Sequence, residues 1–283
     1  MPSPSTSPSS LKGHTALVTG GGSGIGLAAA RSLVSDAASV LLVGRTPEKL
    51  EAGAAELADV VTEGATVATF VGDVTDESSV ADSVAAALAL GPLTMCVASA
   101  GDGTVGPIVA MSAEEWQRVI AVSLTGVFFT LKHAGGAMAN SGGGAIVAVS
   151  SLAGQVVHRF MGPYNAAKAG VDMLVRTTAD EMGPTGVRVN GVNPGIVRTE
   201  LVAMIDEEND VGKSYLENMP VRRFGEAEDV ASAIRFLLGP ESSWITGVNL
   251  CVDGGHHLRG GPDYGMFARM MFEGAVDPRI LES

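Results

Sequence analysis

Aromatic side chains are scarce in this chain, at 5% of 283 residues, and its 18 Lys and Arg are outnumbered by 31 Asp and Glu. A formal net charge of −13 offers no basic stripe to release counterions from a phosphate backbone, and few rings are available to stack on bases. Both argue against a nucleic-acid partner. Cysteine occurs only twice, at Cys96 and Cys251 in the apolar runs LTMCVASA and VNLCVDGG. Neither has the spacing of a metal site or a redox pair, so both read as reduced thiols buried in a core. No apolar stretch reaches the roughly 18 to 20 residues that span a bilayer. The N-terminus also lacks the charged-then-apolar pattern of a secretion signal. The expectation is a cytoplasmic chain without a membrane partner.

What the sequence does have is apolar residues, 46% against 17% charged, and 37 glycines, enough for a sizeable core with tight turns and close helix-to-sheet packing. Residues 1–10, MPSPSTSPSS, have almost nothing to bury and are expected to form a disordered tail. From Thr15 onward, short β-branched runs alternate with Ala-rich segments of helical period: HTALVT, GIGLAAARSLV, SVLLVG, PEKLEAGAAELADVV, ATVATFVGD. The rhythm continues through a helix near 76–90, the strand LTMCVAS, a helical region around 113–137 and the strand GAIVAVSS. A helix near 163–182, the strand VRVNGVN, the helix-like EAEDVASAIRFLL and a strand near 247–252 complete it. Near-continuous apolar strands joined by helices imply an α/β fold, a doubly wound parallel sheet (Rossmann fold) in a three-layer α/β/α sandwich. One catalytic domain over 11–255 is expected, with a polar, poorly periodic, lid-like segment at 200–223 and a C-terminal extension at 256–283.

Two constellations carry chemistry. TGGGSGIG, residues 19–26, lies between a strand and an Ala-rich helix. Gly20, Gly24 and Gly26 permit a tight turn and close approach of a pyrophosphate, and the helix N-terminus supplies amide donors and a favourable dipole. Gly22, Ser23 and Ile25 belong to the same cradle. The second is Tyr164-x-x-x-Lys168 in GPYNAAKAG, whose spacing puts both side chains on one helix face. An ammonium beside a phenol favours the phenolate and draws its pKa toward operating pH. Ser151, at the end of the strand GAIVAVSS, can donate to a substrate oxygen as charge develops there.

These marks, in this order, resemble the short-chain dehydrogenases/reductases over residues 12–255: TGGGSGIG, Gly72-Asp73-Val74, Ala98-Ser99-Ala100-Gly101, Ser150-Ser151, YNAAK, NPGIVRT at 193–199 and ITGVNLCVDGG. The resemblance implies an enzyme interconverting a secondary alcohol and a ketone with NAD(P)(H). Tyr164 is then the general acid/base and Ser151 the oxyanion-side donor, while Lys168 stabilises the phenolate and holds the nicotinamide ribose. It places Asp73 and Val74 at the adenine, and Thr199 at the carboxamide or a phosphate; from the residues alone, Asp73 reads equally as an acid at a helix N-terminus. Ala100, Gly101, Pro194, Gly195, Ile196 and Val197 complete the cofactor site, and a homotetramer built partly from the Tyr164 helix is also implied. Two departures stand out. Ala98-Ser99 replaces the family's Asn-Asn, and Ser123 replaces the Asn whose backbone carbonyl holds a relay water. Ser123 serves equally if the helix is distorted there.

The end of the second strand, where an NAD-preferring chain presents a carboxylate to the ribose, holds Gly44 and then Arg45. A guanidinium there favours NADP(H), with NAD(H) as the alternative. Leu201, Met204 and Met219 suggest a lipophilic or cyclic alcohol or ketone, or else simply pack on their neighbours. Met266, Phe267, Met270, Met271 and Phe272 either line an adaptable pocket or pack on the core or a neighbouring subunit. His256 and His257 have no third spaced ligand, so no metal is expected. Redox-neutral isomerase or lyase chemistry, or a non-catalytic nucleotide-binding regulator, are the rival readings on this fold.

Overall fold

The computed structural model describes residues 11–62, 64–259 and 264–272; the tail at 1–10 and the end of the extension lie outside them. In the first half, β1 (Thr15–Thr19), α1 (Gly24–Ser35), β2 (Ser39–Gly44), α2 (Pro47–Ala58), β3 (Val67–Val71), α3 (Glu77–Leu90) and β4 (Leu93–Ala98) alternate strictly. In the second half, α4 (Ala113–Ile120) and α5 (Gly126–Asn140) precede β5 (Gly144–Val149), and α6 (Gly162–Met182) precedes β6 (Val187–Pro194). The helices α7 (Asp210–Asn218) and α8 (Ala227–Leu238) then lead to β7 (Asn249–Val252), with α9 (Gly265–Phe272) beyond it.

All seven strands are parallel, in the order β3-β2-β1-β4-β5-β6-β7. The order in which successive strands are added reverses between β1 and β4, so the loops after them part and leave a crevice at their C-terminal ends. Strand side chains alternate between faces, and each face has its own core. Val18, Leu42, Val97 and Val147 pack with Leu33 of α1 and Val230 and Ile234 of α8. Leu17, Leu41, Cys96, Ile146 and Val189 pack with Val84 of α3, Leu131 of α5 and Val171 of α6. This is the doubly wound sandwich expected from the strand rhythm.

The helical region around 113–137 is one rod, α4 joined to α5 through a π-turn at Ala121–Thr125. Within the 28 residues Ala113–Asn140, an 18-residue window of mean hydropathy 1.3 is long and apolar enough to cross a membrane, contrary to the sequence expectation. Its apolar residues are spread among Gly, Ser and Thr rather than run together. Val119, Val127, Leu131, Ala134 and Met138 are buried within the protein, as in a core helix. Segment 200–223 is more ordered than its weak periodicity implies. It contains α7, whose N-terminus is capped by Asn209 Oδ1, accepting from Gly212 N–H at 2.9 Å.

Cys96 is buried as expected, but Cys251 is only partly so, because β7 is the edge strand and its neighbour Leu250 is exposed. Met266, Met270 and Met271 on α9 are exposed as well. They belong to neither buried core; the side chains of Phe267 and Phe272 lie outside those described.

Candidate active site

The turn after β1 is built for close approach. Gly20 has φ +66°, and a Cβ there would sit 2.8 Å from the backbone nitrogen of Ala100. At Gly26 a Cβ would lie 2.3 Å from the Gly20 carbonyl oxygen, so the first turn of α1 fits tightly under the loop. Ser23 is the N-cap of α1 without a side-chain cap bond, and the first turn carries no acidic residue. The amides at this helix end therefore face the crevice with a positive dipole and no internal carboxylate to answer it.

That crevice is a cleft of about 480 Å³. It is lined by Gly20, Gly22, Ser23, Gly24 and Ile25 from the turn, and by Arg45 and Val74 beyond it. Ala100 and Gly101 follow β4, and Pro194, Gly195, Val197 and Thr199 follow β6. Ser151, Tyr164 and Lys168 close its other end. Four expected site residues do not line it. Gly26 packs beneath the turn, and Ile196 is buried in a small cluster with Met219 and Phe224. Ser123 is fully buried behind Gly101. The Asp73 side chain closes a local turn, its Oδ1 accepting from Thr75 N–H and Oγ1–H, each at 2.9 Å.

At the closed end, the Ser151 hydroxyl stands against the Tyr164 phenol and lowers its pKa, and Ser151 Oγ accepts from Ala153 N–H at 3.1 Å. Lys168 Nζ lies 5.6 Å from the Tyr164 ring centroid and donates to the Val149 carbonyl at 2.8 Å. Burial pushes the ammonium down to about 8, with Asp172 opposing. Burial also raises the Tyr164 phenol above its ordinary value, with Ser151 opposing. Lys168 was expected to dominate the phenol. In the structure desolvation dominates instead, because both groups share one dry pocket.

A buried strut, not anticipated from sequence, holds this corner. Asn193 Nδ2 donates to the Ser151 carbonyl at 3.0 Å and to both oxygens of Asp172 at 3.1 and 2.9 Å. Ser150 Oγ donates to the Lys168 carbonyl at 3.1 Å. The sequence signal was a carboxylate one turn beyond Lys168 on the same helix face. Ser123 also does more with its side chain than expected: Asp102 N–H donates to its Oγ at 2.9 Å, and its hydroxyl donates to the Asp102 carbonyl at 2.7 Å. That pair pins the loop after Gly101, and Arg118 anchors the Asp102 carboxylate from α4. Lys49, also unforeseen, lines the cleft near Arg45 and forms an ion pair with Glu200 across its mouth.

Two further expectations need correction. Met219 is buried in the cluster around Ile196, and Met204 is 92% exposed, so of the three residues taken to suggest a lipophilic substrate only Leu201 lines the cleft. A third potential ligand does stand by His257: the donor atoms of Cys251, Asp253 and His257 lie within 4.8 Å of one another. The fold of the turn after β7 brings them together. The Asp253 carboxylate there already accepts from the backbone N–H groups of Gly255 and His257 and bonds the His257 ring at 2.9 Å.

A family model described as enoyl-(acyl carrier protein) reductase matches residues 20–257. The chain is 37% identical over 248 residues to galactitol 2-dehydrogenase (L-tagatose-forming) of Cereibacter sphaeroides, covering 87% of this chain and 96% of that one. It is 41% identical over 245 residues to cis-4-hydroxycyclohexanecarboxylate dehydrogenase of Sinomonas cyclohexanicum, covering 86% and 96%. Among solved structures, a short-chain type dehydrogenase/reductase from Mycobacterium ulcerans superposes with a TM-score of 0.86 at 41% identity, covering 93% of this chain and 96% of that one. With the sheet order, the glycine cradle and the Ser–Tyr–Lys corner already in place, these likenesses settle its kinship: the chain belongs to the short-chain dehydrogenase/reductase family, oxidoreductases that act on CH–OH and C=O groups.

Proposed function

We propose that this protein interconverts a secondary alcohol and a ketone by a Ser151–Tyr164–Lys168 mechanism, with NADP(H) preferred over NAD(H). The observation that carries the reading is the convergence of Ser151, Tyr164 and a buried Lys168 at the closed end of a cleft that begins in a glycine cradle. Relatives named for galactitol and for a hydroxycyclohexanecarboxylate support an alcohol as the substrate.

The cradle suits a dinucleotide. Gly20, Gly22, Ser23, Gly24 and Ile25 would hold the pyrophosphate at the α1 amides, where a Cβ at Gly20 would close the approach. Val74, Ala100 and Gly101 would flank the adenosine half, and Asp73 keeps Oδ2 for the adenine edge. Pro194, Gly195, Val197 and Thr199 would border the nicotinamide half, with Ile196 and Gly26 serving by packing alone. Such a cofactor supplies the hydride donor or acceptor. For a 2′-phosphate, Arg45 offers a guanidinium with no adjacent carboxylate on Gly44, and Lys49 adds a second cation at the same cleft wall.

In the reducing direction, the buried Tyr164 phenol is protonated at neutral pH and gives its proton to the carbonyl oxygen, while Ser151 Oγ–H donates to the same oxygen as charge builds there. In the oxidising direction the phenol first gives up its proton. The Lys168 ammonium favours that loss, and with a pKa near about 8 it passes a proton onward without a large energy step. The π-turn at Ala121–Thr125 supports a relay through the Ser123 backbone carbonyl. Segment 200–223 acts as a lid whose start is tethered by the Lys49–Glu200 pair. Free thiols at Cys96 and Cys251 fit a reducing, cytoplasmic setting.

Self-association into a homotetramer has support on two faces. Trp116, Phe128 and Met173 are exposed on α4, α5 and α6, and Phe236, Trp244 and Leu250 are exposed around α8 and β7. Two separate apolar faces suit two kinds of twofold contact.

Tyr164→Phe is expected to lower kcat by about 10²-fold or more while calorimetric NADPH affinity stays within about threefold, since the cradle is untouched. Wild-type turnover in that variant would refute the mechanism, and turnover without net change at 340 nm would favour the redox-neutral rival. Arg45→Ala should reduce the ratio of kcat/KM for NADPH over NADH about tenfold or more, as loss of one charged contact to a phosphate predicts; an unchanged ratio removes Arg45 from cofactor choice. Sedimentation equilibrium should return four times the 28.7 kDa chain mass, and a concentration-independent monomer would contradict the assembly.

A further inference from the structure

The turn that follows β7 gathers side chains of metal-ligand type that the mechanism does not use. Side chains alternate along a strand, so Cys251 and Asp253 share one face while Leu250 is exposed on the other. Gly254 and Gly255 then take left-handed φ values of 63° and 85°, which glycine adopts without strain. That reversal returns His257 over Asp253, with the ring Nδ1 3.0 and 2.9 Å from the two carboxylate oxygens. With the Cys251 thiol, the three donor atoms lie within 4.8 Å of one another. Asp253 is held in place from behind, since it accepts from the backbone N–H groups of Gly255 at 3.0 Å and His257 at 2.8 Å. Outer hydrogen bonds of that kind orient a ligating carboxylate.

A fourth donor comes from the active-site side. Gln155, in the loop between Ser151 and Tyr164, accepts from the Cys251 thiol through Oε1 at 3.4 Å. At its other end Nε2 donates to Asp172 Oδ2 at 3.4 Å, so the amide oxygen rather than the nitrogen faces the sulfur. In a tetrahedral zinc site, with Zn–S near 2.3 Å and Zn–N or Zn–O near 2.1 Å, donor atoms stand roughly 3.4 to 3.6 Å apart. The separations found here, from 2.9 Å between His257 and Asp253 to at most 4.8 Å, bracket that spacing. Thiolate and imidazole ligands select zinc over magnesium, calcium or manganese. The protons balance as well. Cys251 gives its S–H proton to solvent, the ion replaces the hydrogen bond between His257 Nδ1 and Asp253, and the neutral imidazole keeps its proton on Nε2. Thiolate and carboxylate then neutralise the divalent charge, and the partly exposed His257 ring gives the ion a way in.

We propose that Cys251, Asp253, His257 and the Gln155 amide oxygen form a zinc site that fastens the turn after β7 to the loop following Ser151. Through Gln155 the clamp reaches Asp172, and through Asn193 the Ser151 carbonyl. The site reverses the sequence expectation of no metal, and it stands apart from the choice of substrate and cofactor.

The test titrates the full chain, first stripped of metal by a chelator, with zinc chloride in a calorimeter and with cobalt(II) in a spectrophotometer. Zinc should bind at one ion per chain with Kd of about 1 μM or tighter, and cobalt should show the near-ultraviolet charge-transfer band of a thiolate ligand. Cys251→Ser and His257→Gln should each weaken zinc binding about tenfold or more, and Cys251→Ser should abolish the cobalt band. Gln155→Leu should weaken zinc several-fold. Zinc should also raise the Tm of the wild-type chain by several degrees and leave that of Cys251→Ser where it was. Substoichiometric binding, a cobalt complex without the thiolate band, or full zinc affinity in both Cys251→Ser and His257→Gln would overturn the site. Should Cys251→Ser fail to fold, His257→Gln carries the affinity comparison and the wild-type cobalt spectrum decides the thiolate.

Discussion

A lysine ammonium 3% exposed, held by one backbone carbonyl and a neighbouring carboxylate, is the constraint around which this site is arranged. Burial disfavours the charged form, and the fall from 10.5 to about 8 corresponds to roughly 3 kcal/mol. The sign follows from linkage: the unfolded chain binds the proton more tightly, so the cost is full below about 8 and vanishes as pH rises past the ordinary lysine value. The fold bears this cost because β5 ends where it does. Val149 presents its carbonyl to Nζ, Ser150 ties to the Lys168 backbone, and Ser151 lines the cleft with Tyr164. Asp172, one turn along α6, supplies the compensating charge and is held in turn by Asn193 at the end of β6.

Seen from this corner, the parallel sheet acts as a positioning device. The ends of β1, β4, β5 and β6 rise to one level, and the cleft at the switch point runs from the glycine cradle to the phenol. The π-turn between α4 and α5 turns Ser123 toward the loop after Gly101, where its hydroxyl clasps both backbone polar groups of Asp102. A side chain shorter than the family's usual Asn thus still fixes that loop, and it does so through geometry that only the distorted helix provides.

The elements that local pattern controls were readable in the sequence. The strand rhythm, the turn at 19–26 and the face shared by Tyr164 and Lys168 depend on residues within one or two turns of each other, and period and spacing report such relations directly. The Asn193–Asp172 strut, the Lys49–Glu200 pair and the contact of Gln155 with Cys251 join residues far apart in the chain, and no periodicity records them. Helix α7 escaped because its buried side is small, with Gly212 its only fully buried residue. The apolar residues of 200–223 misled for a related reason. Met219 and Met204 look alike in sequence, yet one is core and the other lies in solvent, a difference set by which way the chain turns after β6.

Direct observation of the Lys168 ammonium tests the account most sharply. A pH titration of its side-chain nitrogen or ε-carbon by NMR, assigned with Lys168→Arg as the reference, should give a midpoint near about 8. A midpoint at the ordinary lysine value near 10.4 would mean that Lys168 is solvated and away from Tyr164, and the proposed proton path would have no physical basis.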